Sequence, residues 1–333
     1  MKKIINDPAN YVDEMIEGIL LAYPDKLKSV GGDLKCMVKA DAGQIKKVGI
    51  MTGGGSGHLP LFLGYVGDGL LDGVAIGDVF QSPSAKQIAS VTKAIDTGKG
   101  VLYLFGNYTG DVINFNMASE MINMRGIKVK TVLANDDVAS SMKGDESKRR
   151  GIAGIVFAYK AAGACARDGA DLDEVARVAQ KAVDNTRTMG MAMSPCTIPQ
   201  IGKPSFSISD DEMEIGMGIH GEKGISRTKF MPADITVTLL LNHIFADYEY
   251  KPGDKVSVLI NGLGATPLDE LYICYRKVHK VLEERKIEVH NAYVGEFATS
   301  MEMAGMSISL LKLDSELQKY IDVPCNSPFF KQI

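Results

Sequence analysis

This 333-residue sequence has no CxxC cysteine pair, no basic tract, no apolar run near the ~20 residues that span a bilayer, and no lysine-closed phosphate loop. Each absence excludes a class of function. The five cysteines (Cys36, Cys165, Cys196, Cys274, Cys325) are scattered and odd in number, which fits reduced packing thiols rather than a disulfide framework or a zinc site. A net charge of −4 without a basic cluster offers no electrostatic footprint to nucleic acid or to an anionic membrane. The two N-terminal lysines meet Asn6 and Asp7 before any apolar core, so no signal peptide is read and the expected location is cytoplasmic.

What is present is a 45% hydrophobic chain long enough for two ordinary domains, and one unusual stretch, Met51-Thr52-Gly53-Gly54-Gly55-Ser56-Gly57-His58-Leu59-Pro60. It follows the apolar run Val48-Gly49-Ile50, so it reads as a strand emptying into a glycine-rich turn that ends on a histidine. Such a turn is expected to take positive φ and to aim amide N–H groups at a phosphate or a hydroxylated molecule. The nucleotide reading is weak. A P-loop needs lysine and a hydroxyl residue after its last glycine, and His58 and Leu59 stand there; the dinucleotide fingerprint breaks at its third glycine, where His58 stands.

Along the chain, apolar runs at 48–51, 73–77, 101–105 and 128–133 read as strands, each ending in a polar loop, with helical periodicity at 11–23, 85–94 and 112–124. Strand, loop and helix in alternation predict a largely parallel sheet, with ligand loops gathered at the carboxyl ends of its strands. Helices are expected at 152–166 and 172–188. Prolines at 195, 199 and 204 then place the crossing into a second domain, giving domains 1–188 and 189–333. The second half repeats the theme: a strand-like run at 214–221 carries His220, a strand at 255–260 precedes a helix at 268–284, and strands follow at 287–294 and 307–313. The expected fold class is α/β, two domains with mixed, largely parallel sheets and a ligand pocket at strand C-terminal ends near the domain interface.

His58, Asp111 and His220 each follow a strand at a glycine-bearing loop, where packing explains residue choice poorly. Two histidines and a carboxylate suit proton transfer or covalent capture of a carbonyl. They also suit a metal, but no HxH or HExxH spacing supports that, and no metal site is assigned. His243, His279 and His290 lie in helical or strand patterns and read as packing or surface residues.

Seven motifs in order resemble one family: Gly53-Gly54-Gly55-Ser56-Gly57-His58, Gly77-Asp78-Val79-Phe80, Asn107-Tyr108-Thr109-Gly110-Asp111, Asn135-Asp136-Asp137-Val138, Ser194-Pro195-Cys196, Gly218-Ile219-His220-Gly221-Glu222 and Asn261-Gly262-Leu263-Gly264. Together they are similar to the substrate-binding DhaK subunit of dihydroxyacetone kinases. The resemblance implies two α/β domains, a homodimer, and a short-chain ketose held between the domains. It implies that His220 adds to the ketone as a hemiaminal, that Asp111 is the general base for the hydroxyl to be phosphorylated, and that His58 assists. Gly54, Gly55, Ser56, Gly57, Phe80 and Ser82 would orient the remaining oxygens.

Two departures from the family pattern bear on the substrate. The turn continues Leu59-Pro60-Leu61-Phe62 in place of Glu-Pro and a second histidine, and Gly106 replaces a lysine, so erythrulose competes with dihydroxyacetone as the expected ketose. No residue set is left to hold a nucleotide or magnesium. By the resemblance, ADP and Mg²⁺ sit on a separate DhaL-type subunit, recharged by a phosphotransferase-system donor that draws on phosphoenolpyruvate. The alternative is a DhaK-like ketose sensor, a co-activator acting with a transcription regulator.

Overall fold

The computed structural model describes residues 2–333 and divides them into two units, each built on a six-stranded sheet. The first unit comprises the chain up to Ala134, then Phe157–Ala182 and Lys319–Ile333. It opens with α1 (Tyr11–Ala22), β1 (Leu27–Val30), β2 (Asp33–Lys39), β3 (Gly49–Ser56) and β4 (Gly73–Val79). There follow α2 (Ala85–Ile95), β5 (Val101–Gly106), α3 (Thr109–Asn123) and β6 (Val129–Ala134). The strand order is β1-β2-β4-β3-β5-β6, with β4, β3, β5 and β6 parallel and the β1–β2 and β2–β4 pairs antiparallel.

An uninterrupted apolar strand must be covered on both faces, and all six residues of β5 are buried. Tyr103 and Phe105 share a core with Ile88 and Val91 of α2 and Phe115 of α3; the Phe105 and Phe115 rings stack at 3.9 Å. On the opposite side of β3, Thr52 Oγ1 lies 2.7 Å from Tyr159 Oη, which belongs to α4 (Ile155–Arg167). α4 is alanine-rich, and Ala158, Ala161, Ala162, Ala164 and Ala166 are all buried. Every residue from 155 to 166 is buried, Lys160 included, so α4 is a core helix. That explains why the chain, having left the first unit at Asn135, returns to it at Phe157.

α2 illustrates how local sequence sets a boundary. Ser84 and Gln87 form a reciprocal capping box that satisfies backbone donors at its start. Ser84→Ala is expected to lower unfolding stability by about 1 kcal/mol, read as a lower urea midpoint at unchanged slope.

The second unit comprises Asn135–Val156 and Val183–Gln318. After α5 (Leu172–Asp184) come β7 (Thr186–Ala192), β8 (Glu212–Ile215), β9 (Ser226–Lys229), α6 (Ala233–Asp247), β10 (Lys255–Gly262) and α7 (Leu268–Glu284). β11 (Glu288–Gly295), β12 (Gly305–Leu313) and α8 (Ser315–Asp322) follow, and the short pair β13 (Cys325–Asn326) and β14 (Lys331–Gln332) closes the chain in the first unit. The order is β11-β10-β12-β7-β8-β9, and only β10–β11 is a parallel pair. Leu240 and Ile244 of α6 and Leu271 and Val278 of α7 cover this sheet through Val258, Ile260 and Ile308.

Two mixed α/β sheets are therefore present as expected, with the parallel block concentrated in the first. The division differs from a single cut after residue 188, which falls inside β7; the chain passes between units at 135, 157, 183 and 319. Among the described residues, no helix is long and apolar enough to cross a membrane, and no group of three or more His, Cys, Asp or Glu side chains is placed to hold a metal ion.

Candidate active site

The predicted residues divide between the units: the glycine stretch, His58, Phe80, Ser82 and Asp111 belong to the first, and His220 to the second. The glycines do not form a turn. β3 runs through Ser56, so Gly53, Gly54 and Gly55 are strand residues, and of this stretch only Gly57 takes positive φ, at 102°. Their smallness serves close approach instead. A Cβ on Gly55 would stand 2.7 Å from the Gln81 amide nitrogen, and one on Gly54 would penetrate the Phe62 ring. The register between β3 and β4 shifts at Gly55/Ser56, and there Phe80 donates its N–H to the Ser56 carbonyl at 3.0 Å. Ser56 Oγ donates to the Gly77 carbonyl at 2.8 Å, so this hydroxyl ties the two strand ends together.

A third element joins them. α3 begins where β5 ends, and a Cβ on Gly110 would lie 2.7 Å from Ser82 Oγ. Asp111 thus enters in the first turn of α3 beside the loop that carries Phe80 and Ser82, where the positive end of the helix favours a carboxylate. Asp111 and His58 are both buried, the imidazole at 1% exposure. His58 is held between two rings: Phe80 stacks on it at 4.9 Å and 23°, and Phe62 meets it edge-on at 6.1 Å and 82°. Both phenylalanines have left-handed backbones, φ 67° for Phe62 and 57° for Phe80. Non-glycine residues in that region cost of order 1–3 kcal/mol each, and such strain concentrates at functional sites.

In the second unit, His220 sits in a tight loop after β8, closed by Gly218 N–H to the Glu222 carbonyl at 3.1 Å and by Gly221 at φ 89°. Its Nδ1 lies 2.7 Å from Glu222 Oε1, and its backbone N–H donates to Glu222 Oε2. The Glu222 carboxyl is held below its usual range: burial pushes it up, and the His220 hydrogen bond and charge with the Arg150 guanidinium more than offset that. Arg150 in turn pairs with Asp137 at 2.9 Å, and burial drives the Asp137 carboxyl up to about 6 against that guanidinium.

Residues 17–329 match the Dak1 domain. The chain belongs to the Dak1, or DhaK, family. It is 44% identical to the dihydroxyacetone-binding subunit DhaK of PTS-dependent dihydroxyacetone kinase 2 from Listeria innocua, over 99% of each chain. It is 40% identical to the D-erythrulose kinase of Mycolicibacterium smegmatis, covering all of this chain and 57% of that one. Among solved structures it is similar to the dihydroxyacetone kinase operon co-activator DhaQ, with a TM-score of 0.88 at 33% identity, over 94% of this chain and 96% of that one.

Against that family, the departures gain a location. Leu61 and Phe62 of this Dak1 chain are buried, and the Phe62 ring covers Gly54, so the stretch after His58 is an apolar wall rather than a row of polar groups. Gly106 is the last residue of β5, and its carbonyl accepts from the Tyr108 N–H at 2.8 Å. Asp137 and Glu222 stand in the motifs that carry the resemblance; what sequence reasoning missed is Arg150, which links them behind His220. Arg150 lay in a polar loop beside Arg149, and nothing in the spacing separates their roles. Arg149 turns inward to a bidentate pair with Asp247, at 2.9 and 2.5 Å, and Arg150 turns to Asp137 and the His220 loop.

Proposed function

We propose that this Dak1 chain is the ketose-binding subunit of a phosphoenolpyruvate-dependent kinase for dihydroxyacetone or a related short-chain ketose. The observation that carries the reading is the match over 99% of both chains to a PTS-dependent DhaK subunit. His220 captures the ketone as a hemiaminal. Only a carbonyl can be held this way, so glycerol, similar in size but lacking a ketone, is refused. Asp111 takes the proton from the hydroxyl that becomes phosphorylated, assisted by His58, while Gly54, Gly55, Ser56, Gly57, Phe80 and Ser82 set the orientation of the other oxygens. The chain acts as a cytoplasmic homodimer, and a DhaL-type subunit carrying ADP and Mg²⁺ delivers the phosphoryl group, recharged by a phosphotransferase-system donor. Erythrulose competes with dihydroxyacetone as substrate, given the apolar Leu61–Phe62 wall and the similarity to an erythrulose kinase.

A second reading, a ketose sensor acting with a transcription regulator, is favoured by the likeness to the co-activator DhaQ. The buried carboxylate of Asp111 in the first turn of α3 favours the kinase, because a sensor has no proton to remove. The deciding measurement is sugar-phosphate formation with a DhaL-type subunit and the phosphotransferase chain supplied. Phosphate on a three- or four-carbon ketose is the expected result. None on either would defeat the kinase and leave the sensor.

A further inference from the structure

We infer that Glu222 is a positioning residue for covalent capture: by holding His220 Nδ1 it fixes the imidazole tautomer and makes Nε2 the nucleophilic nitrogen. The inference rests on the reading that His220 captures the ketose. A carboxylate oxygen only accepts hydrogen bonds, so with Glu222 Oε1 at 2.7 Å the Nδ1 atom carries the proton, and the lone pair of the neutral ring is on Nε2. Glu222 also fixes the ring in space, because its second oxygen accepts the backbone N–H of the same histidine. One carboxylate thus grips both the main chain and the ring of His220.

The carboxylate is itself held. Arg150 Nη1 stands 3.8 Å from Glu222 Oε2, and this guanidinium is anchored by Asp137, at 3.0 Å from Nε and 2.9 Å from Nη2. It also approaches the Gly216 carbonyl at 3.5 Å. Asp137 is buried and accepts the Ala139 N–H at 3.0 Å. Gly218 leaves the room these groups need: a Cβ there would collide with Glu222 Oε2 and come within 2.6 Å of Arg150 Nη1. Asp137, Arg150 and Glu222 alternate in charge, and the set ends on the imidazole of the proposed nucleophile, His220. An outer carboxylate that orients a reactive imidazole is a recurrent device.

The proton balance fits this arrangement. Attack of the Nε2 lone pair on the ketone carbon forms the C–N bond and breaks the carbonyl π bond, leaving the electron pair on oxygen. The ring then carries a positive charge, which the Glu222 carboxylate stabilises without taking the proton. The alkoxide takes a proton from water, the hydroxide so formed takes the Nδ1 proton, and the neutral hemiaminal contains the atoms of imidazole plus ketose and no others.

The test uses the full chain and dihydroxyacetone, with erythrulose as a second probe. Imidazole ¹⁵N NMR of the ketose-free wild type is expected to show His220 with its proton on Nδ1, and intact-protein mass spectrometry to show an increase equal to one ketose. Glu222→Gln and Glu222→Ala are expected to slow adduct formation roughly 10²-fold or more, the scale on which an imidazole suffers when its orienting carboxylate is lost. Glu222→Ala should also move the proton to Nε2 while melting as wild type does. Folded variants with wild-type adduct rates would overturn the inference. Where a variant does not fold, the wild-type tautomer decides, because a proton on Nε2 contradicts the role assigned to Glu222. Absence of any adduct on the wild type, with either ketose, would instead defeat the capture reading beneath it.

Discussion

Asp111→Asn is expected to leave the ketose adduct on His220 intact and to lower the rate of ketose phosphorylation by about 10²–10⁴-fold, the usual worth of a general base. The substitution keeps the shape and one acceptor oxygen and removes the basicity, so binding and chemistry separate. Position supports the assignment. Asp111 lies in the first turn of α3, buried, on the helix whose Gly110 abuts Ser82. A carboxylate there is favoured by the helix end, and the asparagine retains a partner for the amide groups of that end, so the fold should tolerate the change. The measurement is steady-state phosphorylation with the partner subunit and phosphoryl donor in excess, alongside intact mass after incubation with ketose. The loss should fall on kcat with KM nearly unchanged, because an interaction used only in the transition state has been removed. A variant within about threefold of wild type would sink the base assignment for Asp111 and pass the task to His58.

The legible parts of this fold are those whose signal is local. β5 announces itself as a short apolar run bounded by glycines, and all six of its residues are buried. β1 and β2 are not legible as strands, because Lys28, Lys35 and Lys39 interrupt their apolar pattern; β1 is the sheet edge with Lys28 and Ser29 exposed, while Lys39 of β2 is buried. The helix expected over 172–188 ends at Asp184, and the last three residues of that range open β7, because only Asn185 separates that strand from α5. The unit boundary was illegible for a different reason. Prolines mark where a chain turns, whereas the return of α4 to the first unit is decided by which core accepts an alanine-rich helix.

The candidate site shows the same limit. The glycine stretch is conspicuous in the sequence, but composition says only that Cβ atoms are excluded, and the neighbouring Phe62, Phe80 and Gln81 supply the reason: close packing instead of a turn. His58, Asp111 and His220 stood out by position after strands. The Arg150–Glu222 approach could not, because ion pairs between residues far apart in sequence leave no periodicity to read.

His220→Ala is expected to abolish the ketose adduct outright and, with it, the discrimination between ketose and glycerol. The loop that carries residue 220 is closed by backbone hydrogen bonds from Gly218 and Gly221, neither of which uses the imidazole, and the side chain is 23% exposed. Truncation there should fall within the small effects usual for partly exposed positions, so melting should follow the wild type and the loss can be read as chemical. Intact mass spectrometry is the direct measurement: the wild type gains one ketose, and the variant gains nothing at any ketose concentration. A variant that still gains the mass would move the nucleophile to another group. The second readout is selectivity. Hydrogen bonds to hydroxyls are available to glycerol and dihydroxyacetone alike, so a site that has lost covalent capture has lost what tells a ketone from an alcohol. The variant should therefore bind both weakly and with similar affinity, and a ketose preference that survives His220→Ala would place the selectivity in hydrogen bonding rather than in the carbon–nitrogen bond.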